Sequence, residues 1–245
     1  MKQAETQAEL LIIVPAFNEA EGIRGVLADI RSYIPDADIV VVNDGSSDAT
    51  AAEAAAAGAA VITLSCNLGI GGAVQTGYRY AAERGYRLAA QMDGDGQHLP
   101  EEMGRMRLAL AGSGADMVVG SRFVERRGFQ SSRVRRMGIA LLAGLLTRLL
   151  GREVTDPTSG FRLCGPRAIA LFAADYPTDY PEVEALVEMD NAGLRCVEVP
   201  VVMRERRTGT SSISPFKSVY YMCKVTVAVL IAKTRKKKWS VRYET

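Results

Sequence analysis

Apolar positions along the chain fall into blocks of two lengths. Leu10-Leu-Ile-Ile-Val14, Ile39-Val-Val-Val42, Ala60–Leu64 and Leu88–Met92 are short apolar runs, each bounded by turn-forming residues. Uninterrupted runs of this length predict strands buried on both faces. Longer stretches between them read as helices: from Asn18 or Glu19 to about Tyr33, an Ala-rich stretch ending at Gly58, and one running from the glycines at 69–72 to about Arg84. Strands alternating with helices of this size predict an α/β fold, a doubly wound, mostly parallel sheet flanked by helices. Further along, Pro100–Leu110 reads as a helix, Asp116–Gly120 as a strand and Ile139–Leu150 as an apolar helix. A breaker-rich turn, Thr155–Arg162, then leads to a short strand ending at Cys164. Glu182–Asn191 is helical, Arg195–Val202 has strand character, and Val219–Ala232 is a second apolar helix. The pattern divides the chain into a body, 1–212, and an amphipathic, basic helical appendage, 213–245.

Four polar loops follow predicted strand ends: Pro15–Glu19, Asp44–Ser46, Asn67–Gly72 and Asp93–Gln97. In doubly wound sheets ligands bind beyond the carboxyl ends of the strands, so four such loops on one edge predict a site of nucleotide size. Asp44 is placed to accept hydrogen bonds from a base or ribose, or to form an Asx-turn ahead of the next helix. Asp93 and Asp95, one glycine apart, cannot both sit uncompensated in a dry site, because each buried charge costs several kcal/mol. A hard divalent cation held through Asp95 and Gln97 removes that cost and keeps positions open for phosphate oxygens; a solvated Gly-rich turn is the competing reading. The glycines at 69, 71 and 72 form neither a dinucleotide fingerprint nor a Walker loop, which counts against NAD and P-loop chemistry.

Composition changes this picture in one respect. Hydrophobic and charged contents of 48% and 24% are those of a globular protein, and a net charge of +2 looks unremarkable. Yet Gly120–Arg152 carries eight Arg against one Glu, and Arg204–Thr245 eleven Lys or Arg against two Glu, so the remainder stands at −14. An acidic body with two basic segments predicts an anionic partner. Each basic segment adjoins an apolar helix too short to span a bilayer, which fits an interfacial position on an anionic membrane surface; solvated helix ends are the alternative. The basic segments lack interleaved aromatics, so no nucleic acid partner is expected. Four cysteines without metal-ligand spacing, and a polar N-terminus without an h-region, predict a cytoplasmic protein, peripheral on the inner face of the membrane.

The ordered set Pro15-Ala-Phe-Asn-Glu19, Val42-Asn-Asp-Gly-Ser-Ser-Asp48, Gln91-Met-Asp-Gly-Asp-Gly-Gln97, Gly120-Ser-Arg122 and Asp156-Pro-Thr-Ser-Gly-Phe-Arg162 resembles family 2 glycosyltransferases. The dolichol-phosphate mannosyltransferase branch, acting on polyprenyl phosphates, is the most similar, over roughly residues 9 to 232. The resemblance implies a GT-A fold and inverting transfer from a nucleotide-diphosphate sugar donor. It implies that Pro15, Phe17, Glu19 and Asp44 hold the nucleoside, and that Asp93, Asp95 and Gln97 hold the diphosphate through Mg²⁺ or Mn²⁺. Arg206 would reach the diphosphate, while Arg122, Arg133, Arg135 and Arg136 would face the acceptor phosphate. The branch often has Lys where this chain has Ser212, so Arg204, Arg207 or Lys217 would supply that charge. The long paired membrane helices of some members are absent from this sequence.

The acceptor decides the remaining chemistry. A lipid phosphate is already anionic at neutral pH and needs no base, whereas a glycan hydroxyl needs one. Asp156, His98 and the pair Glu182/Glu184 are the candidates for that base, with Asp95, Arg122 and Asp156 the residues expected to carry catalysis.

Overall fold

In the computed structural model, residues 9–125, 128, 133–205 and 215–234 are described. Seven strands form one sheet: β1 (Leu10–Ala16), β2 (Ala37–Asn43), β3 (Ala60–Thr63), β4 (Leu88–Gln91), β5 (Met117–Ser121), β6 (Arg162–Cys164) and β7 (Cys196–Pro200). Their order is β3-β2-β1-β4-β6-β5-β7, parallel throughout except for β6, which runs antiparallel to both neighbours. The apolar runs are strands for the expected reason. Along β1, Leu10, Ile12 and Val14 enter one core, with Ile23, Leu27 and Ile30 of α1 (Ile23–Tyr33) and Met106 of α4 (Met103–Ser113). Leu11 and Ile13 enter the opposite core, under Val74 and Tyr78 of α3 (Gly69–Arg84). A strand apolar on both faces satisfies two layers at once, which is the condition for a doubly wound α/β sheet.

The helices depart from expectation at two places. The first was expected to open at Asn18 or Glu19 but begins at Ile23. The N–H groups of Asn18, Glu19 and Ala20 are taken by Ser46 Oγ (2.9 Å), Thr50 Oγ1 (2.9 Å) and Asp48 Oδ2 (3.1 Å), and Asn18 adopts φ 55°. These donors find partners in the 46–50 segment after β2, so the residues become part of the strand-end edge and not a helical turn. The second is α6 (Pro166–Ala174), which the turn and strand reading of this region did not include. Its Ile169 and Phe172 bury with Tyr78, whose ring lies 5.2 Å from that of Phe172.

The remaining helices are α2 (Thr50–Ala56), α5 (Arg133–Leu150), α7 (Pro181–Asn191) and α8 (Pro215–Thr234). Basic residues expected to precede α5 are its first turn. Val225, Val229 and Ala232 of α8 are buried in the same core as α5 and α7, and Asn191 Nδ2 donates to the Ala232 carbonyl at 2.9 Å. Among the described residues, no helix is long and apolar enough to cross a membrane.

Candidate active site

The strand-end loops converge on a cleft of about 180 Å³. Pro15 lines it from the end of β1, Phe17 and Glu19 from the loop after it, Asp44 from the loop after β2, and Asp93 and Asp95 from the loop after β4. Ile70, inside the expected Asn67–Gly72 loop, and Ala73, beyond it, complete the wall from the first turns of α3. Phe17 stands about half exposed at the rim, as a ring offered to a planar ligand would.

Asp44 serves two purposes. It is buried, its N–H donates to the Ala16 carbonyl at 2.9 Å, and its Oδ1 accepts the N–H of Leu68 at 2.7 Å. One residue, through its backbone N–H and its carboxylate, thus ties three strand ends together while lining the cleft. Gly45 makes this possible: with φ +70°, it lies so near the 66–67 backbone that a Cβ would come within 2.8 Å of Asn67 N.

Asp93 and Asp95 occupy different surroundings. Asp95 is buried, and its Oδ1 accepts the N–H of Gln97 at 3.0 Å. The Asp93 side chain is 32% exposed and accepts a hydrogen bond from Gln91 Nε2 at 3.2 Å. Gln97 turns its own amide toward the Arg204 carbonyl, at 3.5 Å. Among the described residues, no group of three His, Cys, Asp or Glu side chains could enclose a metal ion. Two carboxylates facing one cleft are the partial, all-oxygen set that Mg²⁺ takes together with water and a diphosphate, so the residues fit a divalent ion that arrives with its ligand.

His98, the single histidine, is buried against this loop. Its Nδ1 accepts the Asp93 N–H at 3.1 Å, its Nε2 lies 3.6 Å from Asp93 Oδ2, and its ring stacks on Phe161. Arg204 donates to the Gly96 carbonyl (2.8 Å) and pairs with Asp29 of α1 (2.7 Å). Its guanidinium therefore braces the Asp93–Gln97 loop from behind.

Just past the end of β5, Arg122 forms a bidentate pair with Asp156. Arg122 Nε and Nη2 donate to Asp156 Oδ2 and Oδ1 at 2.7 and 2.8 Å, and the Arg122 N–H adds a third contact at 3.2 Å. Thr158 Oγ1 donates to the same carboxylate at 3.1 Å, and Asp156 is fully buried. Behind it, Glu198 accepts the N–H groups of Thr155 and Asp156 at 2.9 and 3.3 Å, and burial raises its pKa against those bonds. Arg162 is wholly buried: burial works to lower its pKa, but Tyr176, Glu182 and Tyr78 hold it above the ordinary value. Burial likewise pushes Glu182 up, opposed by Arg162. Glu184 caps its own helix, accepting the Tyr180 N–H at 3.2 Å.

Arg135 and Arg136 are exposed on the first turns of α5. Arg206, Arg207 and Ser212, and the side chains of Arg133 and Lys217, lie outside the described residues.

The family model described as Glycosyl transferase family 2 matches residues 11–171. An undecaprenyl-phosphate mannosyltransferase of Micrococcus luteus is 35% identical over 84% of this chain and 87% of its own. A polyprenol monophosphomannose synthase of Mycolicibacterium smegmatis is 32% identical over 83% of this chain and 80% of its own. Among solved structures, glucosyl-3-phosphoglycerate synthase from Mycobacterium tuberculosis, in complex with Mn²⁺, UDP and phosphoglyceric acid, superposes with a TM-score of 0.69. At 22% identity over 94% of this chain and 79% of that one, the likeness is one of fold.

Proposed function

The chain belongs to glycosyl transferase family 2, with a GT-A fold, and from that premise we propose that it is a metal-dependent, inverting hexosyltransferase acting on a polyprenyl phosphate. The donor is a nucleotide-diphosphate sugar, and the reaction takes place at an anionic membrane surface. One observation carries the reading: the loops after β1, β2 and β4 bring Phe17, Glu19, Asp44, Asp93 and Asp95 to one cleft, beside a buried Arg122–Asp156 pair. Relatives at 35% and 32% identity are named for transfer of mannose to polyprenyl phosphates.

The chemistry follows from charge. Breaking the anomeric C–O bond leaves negative charge on the departing nucleoside diphosphate. Mg²⁺ or Mn²⁺, when bound, acts as the Lewis acid that neutralises it. Asp93 and Asp95 would hold that ion, Gln97 completing the set through its amide oxygen, while Phe17 and Asp44 orient the nucleoside and Arg206 reaches the diphosphate. Arg122 takes the acceptor phosphate, fixed by Asp156, with Arg133, Arg135 and Arg136 adding positive charge beyond it.

The state of Asp156 favours a phosphate acceptor over a hydroxyl. Both its oxygens are engaged by Arg122 and Thr158 in a fully buried setting, a poor position for a group that must take a proton from an incoming acceptor. Membrane docking is supported by the outward faces of α5 and α8, which contact each other. Met137 and Leu141, beside the basic first turn of α5, and Val227, Leu230 and Ile231 of α8 are exposed apolar side chains.

The test is a donor screen with UDP- and GDP-linked hexoses, scoring nucleotide release with and without undecaprenyl phosphate. Release that depends on the lipid phosphate is expected. Efficient transfer to a soluble glycan hydroxyl, with none to the lipid, would replace this reading by the hydroxyl-acceptor one.

A further inference from the structure

Asp93 is approached on every side except the cleft. Gln91 Nε2 holds Oδ1 at 3.2 Å, and Gly160 lies so close that a Cβ there would sit 3.3 Å from both carboxylate oxygens and 2.9 Å from Gln91 Nε2. His98 closes the third side in an unusual way, because both its nitrogens address the same residue. Nδ1 accepts the Asp93 backbone N–H at 3.1 Å, so the neutral ring keeps its proton on Nε2, 3.6 Å from Asp93 Oδ2. That second separation is too long for a hydrogen bond and is electrostatic.

The ring has little freedom. It is 5% exposed, stacks on Phe161 at 4.9 Å with 10° between planes, and its backbone bridges Met203. Phe161 is itself buried and belongs to the same Asp156–Arg162 segment that fixes Arg122. A rigid ring on a rigid plate can therefore set both the backbone and the carboxylate of Asp93.

We infer that His98 is a positioning residue that presents Asp93 to the divalent ion, acting through its Nδ1 bond to the Asp93 amide. The inference rests on the metal reading of the site and deepens it. Groups that orient a metal ligand without touching the metal typically contribute ten- to a hundredfold in metal affinity.

The experiment is Mn²⁺ binding to the full chain with UDP or GDP present and no acceptor, read from the free-ion EPR signal against a nucleotide-only blank, for wild type and variants. His98→Ala should weaken Mn²⁺ about tenfold. His98→Asn places an acceptor at the Nδ1 position and should recover part of that loss. His98→Gln places one near Nε2 and should not. The apparent KM for Mn²⁺ should rise in the same order, with kcat at saturating Mn²⁺ changing less. If His98→Ala binds Mn²⁺ as wild type does, the inference is overturned and the metal reading stands. If wild type and Asp93→Asn take up Mn²⁺ equally poorly, both fall. Should His98→Ala fail to fold, the Asn and Gln variants decide alone: equal affinity, or Gln the tighter, overturns the inference.

Discussion

Asp93 and Asp156 are carboxylates held by opposite ends of one short loop, and they are in contrasting states. Gly160, four residues after Asp156, touches Asp93. Yet the Asp93 side chain keeps a third of its surface open toward the cleft, while Asp156 is fully buried with a guanidinium clamped across both oxygens. The difference separates two uses of the same functional group. A carboxylate left partly uncompensated at a cleft is available to a cation brought by a ligand, whereas one neutralised inside the protein fixes the direction of its partner. On the proposed reading, the donor side of the site is open and the acceptor side pre-assembled.

The largest effect that would break this contrast is on stability. Asp156→Ala removes the carboxylate from the mostly covered Arg122 guanidinium and should cost roughly 3–5 kcal/mol of unfolding free energy, seen in urea titration. An Asp156→Ala protein of wild-type stability would show that the pair does not hold the acceptor side together. Asp95→Asn should do the converse. Turnover should fall on the order of a hundredfold or more, about 2.7 kcal/mol in the barrier, with metal-free melting unchanged or raised, since one of two neighbouring carboxylates has lost its charge. Full turnover of wild type in excess EDTA would remove the metal from the account.

Asp44 tests whether the donor side is open in its second loop too. Asp44→Asn keeps an oxygen for the Leu68 N–H, and calorimetry with UDP and GDP should show affinity for the preferred nucleotide falling roughly tenfold with the fold intact. Unchanged affinity would return Asp44 to turn formation alone. The smallest effect lies on α5. Arg135→Ala and Arg136→Ala should each weaken sedimentation with anionic vesicles about fivefold, the equivalent of 1 kcal/mol per charge at a membrane surface, and leave nucleotide binding untouched. Equal sedimentation of the double variant would place the membrane contact elsewhere.

The lining of the cleft was legible because its signals are local. Leu10–Val14, Ile39–Val42 and Leu88–Met92 each end in the polar residues that line the cleft, and a parallel sheet brings such ends to one edge whatever the lengths of the helices between. The brace of Arg204 on the Asp93–Gln97 loop had no such signal, since 108 residues separate Arg204 from Gly96. Arg204 reads in sequence as one more cation of a basic segment. The late start of α1 was hidden for the same reason, its amide partners lying 28 to 31 residues away.

By itself, then, the sequence determined the sheet's parallel core, the edge on which ligands collect, and the ordered motifs that mark a family 2 glycosyltransferase. Those follow from periodicity and from turn chemistry, which act over a few residues. Only the tertiary structure decided that β6 enters antiparallel between β4 and β5, pairing Arg162 with Gln91 in the strand ladder. That placement brings Gly160 against Asp93, Phe161 beneath His98, and Asp156 onto Arg122. Whether a given Asp stays available or is neutralised depends on what faces it in space, because burial and pairing act through distance and dielectric, which no position along the chain records.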